Sequence, residues 1–121
     1  MASRNIAARS ARNSAPIRVL LVDHRVTLWG LEKLIESEKP RMKVVGSATN
    51  CIEALRLAGK VSPNVIVLDL DLGKENGLDV IPRLITHSNA RVLVLTASRD
   101  PAVHDNAVLS GAMGIVEKRL C

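Results

Sequence analysis

The 121-residue chain has one tryptophan, no tyrosine and no phenylalanine. Its core therefore has to be assembled from Val, Leu, Ile and Ala, which suits a parallel sheet buried on both faces. The same scarcity argues against a nucleic-acid surface built on stacking rings. Cysteine is nearly absent too. Cys51 and Cys121 stand without Cys-x-x-Cys spacing, a usage that fits a reducing compartment rather than a disulfide scaffold. Cys51 reads as a small packing residue at a helix start. No apolar run approaches a membrane span, and the N-terminus lacks the hydrophobic region of a secretory signal. The expected location is the cytoplasm, with no membrane partner. Acid is missing from the first fifteen residues, which hold Arg4, Arg9 and Arg12 and so much of the formal net charge of +5. Residues 1–15 are expected to form a disordered basic leader and residues 16–121 one domain.

What is present is alternation. Val19–Val22 reads as a strand. A helix from about Val26 to Glu36 follows, with Leu28, Leu31, Leu34 and Ile35 on one face, and Pro40 stops it. Lys43–Gly46 is a shorter strand. Asn50, with Glu53 three residues on, resembles a capping box, and Cys51, Ala54, Leu55 and Ala58 line one face of the helix it opens. Val65–Leu68 is the third strand. The helix after Gly77 turns Val80, Ile81, Leu84 and Ile85 inward, and Pro82 predicts that it starts late, with the proline near its first turn. Val92–Leu95 is the fourth strand. Asp100-Pro101 pairs a capping acid with a first-turn proline, and Gly111 supplies a left-handed cap at the far end of that helix. Gly114–Glu117 is the fifth strand. The alternation predicts a doubly wound α/β fold with a parallel five-stranded sheet. Strands two and five mix polar residues into shorter apolar runs and are assigned to the edges. The order is then 2-1-3-4-5, with a ligand crevice beside strands one and three.

Four strand ends bring Asp23, Asp69, Thr96 and Lys118 to one rim of this sheet. Two neighbouring carboxylates repel unless a cation shares them, and hard oxygen ligands with room for water suit Mg²⁺. A carboxylate can also accept a phosphoryl group as an acyl phosphate. The metal, the Lys118 ammonium and the Thr96 hydroxyl would each hold one phosphoryl oxygen. Singly, these residues have plainer readings: Asp69 and Asp71 as turn acids, Thr96 as a strand-end hydroxyl, Lys118 as a solvated edge lysine. His24 reads as a loop or packing histidine and Trp29 as a packing residue. The joint arrangement is what selects phosphoryl transfer.

From Ile17 to Lys118 the chain closely resembles a receiver domain of two-component response regulators. Val19-Leu20-Leu21-Val22-Asp23-His24 is similar to the first-strand acidic motif. Val67-Leu68-Asp69-Leu70-Asp71-Leu72-Gly73 with Asn76-Gly77 is similar to the phosphorylation strand and loop. Leu95-Thr96-Ala97 resembles the switch hydroxyl with its small neighbour, and Gly111 to Lys118 the last strand with its lysine. His24 and Leu28-Trp29-Gly30-Leu31 resemble the subfamily that carries LuxR/NarL-type helix-turn-helix output domains. The resemblance implies a flavodoxin-like fold and a non-enzymatic phosphoacceptor. Asp69 would take a phosphoryl group from a sensor histidine kinase. Asp23, Asp69 and the backbone carbonyl of Asp71 would bind Mg²⁺. Thr96 would move toward the acyl phosphate and Lys118 would pair with it. The shift would change the helix four–strand five face and favour a homodimer. Any DNA contact would run through an output domain outside this chain.

Three departures from the family stand out. One acid, Asp23, occupies the place of two adjacent ones, which lowers the expected metal affinity. Ile115 stands where the rotating aromatic is usual. The chain ends after strand five, so the last helix of the fold is missing and apolar surface beside helix one is expected to be uncovered. These departures leave open a pseudo-receiver that serves as an interaction module without phosphorylation. Leu68-Asp69-Leu70-Asp71 also contains the Asp-x-Asp of haloacid-dehalogenase-type phosphatases, although there it follows the first strand of a longer chain.

Overall fold

Val, Leu and Ile crowd a half-buried pleat well, and the apolar runs do form the central strands. The computed structural model describes residues 15–118. In chain order the elements are β1 (Ile17–Val22), α1 (Arg25–Glu36), β2 (Met42–Ala48), α2 (Cys51–Val61), β3 (Val65–Asp69), β4 (Asp71–Leu72), β5 (Glu75–Asn76), α3 (Gly77–Ser88), β6 (Arg91–Thr96), α4 (Pro101–Leu109) and β7 (Gly114–Glu117). The five long strands make one parallel sheet in the order β2-β1-β3-β6-β7, the expected 2-1-3-4-5. The strands β4 and β5 form a small antiparallel pair that carries no signal in the apolar pattern.

Alternate residues of the central strands divide between two cores. Leu20, Val22, Ile66, Leu68, Val92 and Val94 meet Ala54 and Ala58 of α2, Val80, Ile81 and Leu84 of α3 and Ala107 of α4. Val19, Leu21, Val67 and Leu95 face the other way, toward Leu28 and Leu31 of α1. Among the described residues α1 is the only helix on that second face. The strand runs read as unbroken apolar blocks because both of their faces are covered.

Two helix caps behave as expected. The Asn50 side chain accepts from the Glu53 N–H (2.8 Å), and Asp100 accepts from the Ala102 N–H (2.9 Å) just before Pro101. Glu53 does not complete a capping box, because its carboxylate pairs with Arg56. Three expectations need correction. The helix α3 starts at Gly77, so Pro82 lies in its second turn rather than its first. The packing of α3 against the core outweighs the one backbone hydrogen bond a proline removes. Leu34 is 65% exposed and lies off the buried face of α1. Trp29 is 67% exposed and does not pack in the core; its ring lies 6.0 Å from the Lys33 ammonium.

Gly111 stands just after α4 in the connection to β7 with φ +113°, and a Cβ there would sit 2.7 Å from Ile85 Cδ1. Gly111→Ala is therefore expected to destabilise the fold by about 1–3 kcal/mol. A lowered denaturant midpoint with an unchanged slope would register this.

Candidate functional site: a carboxylate pair with one lysine

Because β1 and β3 are adjacent and in register at Val22–Leu68, the residues that leave their carboxyl ends lie side by side. Asp23 and Asp69 are both fully buried. The Asp23 backbone N–H is pinned to the Ala48 carbonyl at the end of β2 (3.1 Å). The Leu70 N–H is held by the Leu95 carbonyl (3.0 Å). Gly77 lets α3 begin close to this loop, since a Cβ there would stand 3.0 Å from Leu70 Cα. Lys118 follows β7, and its backbone N–H donates to the Thr96 carbonyl (2.7 Å). That bond fixes the stem from which the side chain returns to the rim.

One ammonium serves both acids. Lys118 Nζ lies 3.1 Å from Asp23 Oδ2 and 3.2 Å from Asp69 Oδ1, and it donates a hydrogen bond to Asp23 Oδ1 (3.2 Å). Asp23 Oδ1 also accepts from the His24 N–H (2.7 Å), and Asp69 Oδ1 from the Asp71 N–H (3.1 Å). Burial above all, and then the Asp69 carboxylate beside it, pushes the Asp23 carboxyl up from its ordinary value; the His24 N–H and Lys118 pull the other way. Asp69 Oδ2 is buried with no hydrogen-bond partner.

Of the residues singled out in the sequence, Asp23, Asp69 and Lys118 are thus in direct contact. Thr96 is buried beside them at the end of β6, one position beyond the Asp69–Leu95 pairing. Its hydroxyl oxygen accepts from the Ser98 N–H (3.0 Å). The Asp71 side chain is exposed, while its carbonyl faces the rim.

The structure bears out the loop reading of His24 and drops the packing one: it lies between β1 and α1 with its side chain 54% exposed. It stands at the N-cap of α1 without giving that helix a side-chain cap. Its ring lies over the mouth of the pocket, donating from Nε2 to the Asp71 carbonyl and standing 3.6 Å from Asp69 Oδ2. Asp23, His24 and Asp69 each offer one ligand atom, all within 4.8 Å of one another. A signal exists in the sequence: His24 directly follows a strand-end acid, so the same turn presents both. Glu75 escapes sequence reasoning as well. Its carboxylate accepts from the Cys51 N–H at the start of α2 (3.2 and 3.3 Å), tying the loop after Asp69 to that helix. Burial, followed by this carboxylate, pushes the Cys51 thiol up to about 11, which fits a packed rather than a reactive cysteine.

The orphaned Asp69 Oδ2, two buried carboxylates and a rim carbonyl fit a divalent cation. They carry more negative charge than Lys118 alone neutralises. The imidazole beside them is not a hard-oxygen donor.

Comparisons with known proteins agree with this fold. The chain matches the response regulator receiver domain family over residues 19–120. It is similar to protein-glutamate methylesterase/protein-glutamine glutaminase 3 of Myxococcus xanthus, 35% identical over 106 residues, covering 85% of this chain and 30% of that protein. A LuxR-family two-component response regulator from Aurantimonas sp. superposes with a TM-score of 0.78 at 32% identity, over 85% of this chain and 74% of that one. A Burkholderia pseudomallei response regulator, solved with a phosphorylated aspartic acid, a calcium ion and citrate, superposes at 0.77 with 33% identity, over 86% and 61%. The chain spans between 21% and 49% of the length of curated relatives it matches.

Proposed function

The chain belongs to the response regulator receiver domain family, and on that footing we propose that it is a phosphoacceptor whose acceptor is Asp69. The observation that carries the reading is the convergence of two fully buried carboxylates on one lysine at the carboxyl edge of the sheet. An Asp69 carboxylate oxygen would bond to phosphorus as the phosphorus–nitrogen bond of a sensor kinase phosphohistidine breaks, the imidazole leaving with a proton. Lys118 already touches Asp69 Oδ1 and would neutralise charge on the transferred group. Thr96, buried at the adjacent strand end, would donate its hydroxyl proton to a second phosphoryl oxygen, since the bond it accepts from the Ser98 N–H does not use that proton. A divalent cation, Mg²⁺ in the simplest case, would sit against Asp23, Asp69 and the Asp71 carbonyl and supply charge neutralisation for the incoming oxygens. Asp23 and the loop held by Glu75 keep this rim fixed, so the reaction needs little rearrangement.

In this reading residues 16–121 form the receiver and residues 1–15 a basic leader in a cytoplasmic protein. Only residue 15 of that leader lies within the described part. None of the described helices is long and apolar enough to cross a membrane. The Aurantimonas relative, a LuxR-family two-component response regulator, and the Burkholderia one, with its phosphorylated aspartic acid, support a regulatory role; transcriptional output through a further domain, a sensor histidine kinase as donor and a homodimer as the active form belong to this proposal. The domain serves as the substrate of a kinase and not as an enzyme with a turnover of its own.

Incubation with acetyl phosphate and a divalent cation tests the proposal. The expected result is a mass gain of one phosphoryl group per chain that hydroxylamine removes. A chain that gains no mass under any divalent cation would be the pseudo-receiver. The imidazole seated on the Asp71 carbonyl is the observation that favours that second reading.

A further inference from the structure

The two oxygens of Asp69 face different neighbours. Oδ1 is taken by the Asp71 N–H and Lys118, whereas Oδ2 is buried, unpaired and 3.6 Å from His24 Nε2. The same Nε2 reaches the Asp71 carbonyl, an oxygen that an all-oxygen cation site would claim. His24 therefore stands on the cation side of the pocket, directly after the single acid Asp23. Mg²⁺ demands oxygen donors in near-ideal octahedral geometry, while an imidazole suits the iron, nickel, copper and zinc ions of the first transition row far better.

We infer that His24 makes this pocket a mixed nitrogen–oxygen site selective for a first-row transition ion over Mg²⁺, with Asp23, Asp69, His24 Nε2 and the Asp71 carbonyl as its ligands. The ring needs only a small shift, because Nε2 already lies within ligand–ligand distance of the others. On binding, the ring proton moves from Nε2 to Nδ1 and the Asp71 carbonyl is freed for the ion. Mg²⁺ must instead displace the imidazole from that carbonyl and gains only that oxygen, with no bond to the ring nitrogen. Lys118 stays on the Oδ1 side and does not compete for the position. The inference concerns the cation of the proposed phosphoacceptor pocket but does not depend on phosphoryl transfer.

Pulsed electron paramagnetic resonance of the Mn²⁺-loaded protein tests it. The expected spectrum shows coupling to one imidazole nitrogen, absent in His24→Asp and retained when the two remaining histidines, His87 and His104, are changed to Gln. Competition titrations should show the Ni²⁺-over-Mg²⁺ preference falling about tenfold or more in His24→Asp. His24→Gln serves the same comparison if the acid perturbs folding. A wild-type spectrum without nitrogen coupling, or a preference unchanged in both His24 variants, overturns the inference. If nitrogen coupling is present but acetyl phosphate adds no mass, the metal site stands and the phosphoacceptor reading falls. If mass is gained without nitrogen coupling, the reverse holds.

Discussion

Asp69→Asn is expected to abolish the mass gain from acetyl phosphate and, in the same protein, to raise the melting temperature. The first effect is all-or-none, because an amide cannot form the acyl phosphate. The second follows from charge. Two fully buried carboxylates now share one ammonium. The substitution would remove one charge while keeping an oxygen in the place of Oδ1 for the Asp71 N–H and Lys118. What remains is a paired Asp23–Lys118. Relief of like-charge repulsion is worth about 1 kcal/mol or more, a rise of about 4–8 °C in a domain of this size. Thermal unfolding followed by circular dichroism, without added divalent cation, reads the second effect. A lower melting temperature would mean that Lys118 over-compensates the pair.

Lys118→Met should do the opposite to stability. It preserves the stem and removes the only ammonium in contact with Asp23 and Asp69 among the described residues. Breaking a buried ion pair from one side is costly, here about 3 kcal/mol, with Lys118 itself 27% exposed. Combining Lys118→Met with Asp69→Asn should recover part of the loss, a non-additivity that marks groups in contact. The pH dependence has a definite sign. An aspartate whose folded value is raised holds more protons folded than unfolded, so stability rises as pH falls from the folded value toward the ordinary 3.8. In Lys118→Met, with its cation gone, this gain on acidification should be larger than in the wild type. Denaturant midpoints measured across that window distinguish the two; equal slopes would remove Lys118 from the electrostatics of the pair.

Much of the architecture is legible because it rests on local signals. The apolar runs at Val19–Val22, Val65–Leu68 and Val92–Leu95 announce strands covered on both sides, and the polar content of β2 and β7 announces edges. Asn50 and Asp100 mark helix starts by chemistry that acts within three residues. Asp23, Asp69 and Lys118 can be brought together from sequence because strand order and parallel direction fix where the carboxyl ends lie. What escapes depends on side-chain direction and tertiary packing. The cost of an interior proline points Pro82 toward a first turn, yet packing carries α3 through it. Size alone points Trp29 toward the core, although Leu28 fills the inward position on α1. His24 has no helical or strand period to reveal it. Only the path of the chain leaving β1 turns its ring toward Asp69.

The exposed indole of Trp29 has a practical corollary. It is the sole fluorophore of its kind in the chain, and it lies outside the core, one turn past His24 on α1. Its emission will be that of a water-exposed ring whether the hydrophobic interior is intact or melted, so it is a poor thermometer of unfolding. By the same placement it is a local gauge of the helix start, free of background from other rings.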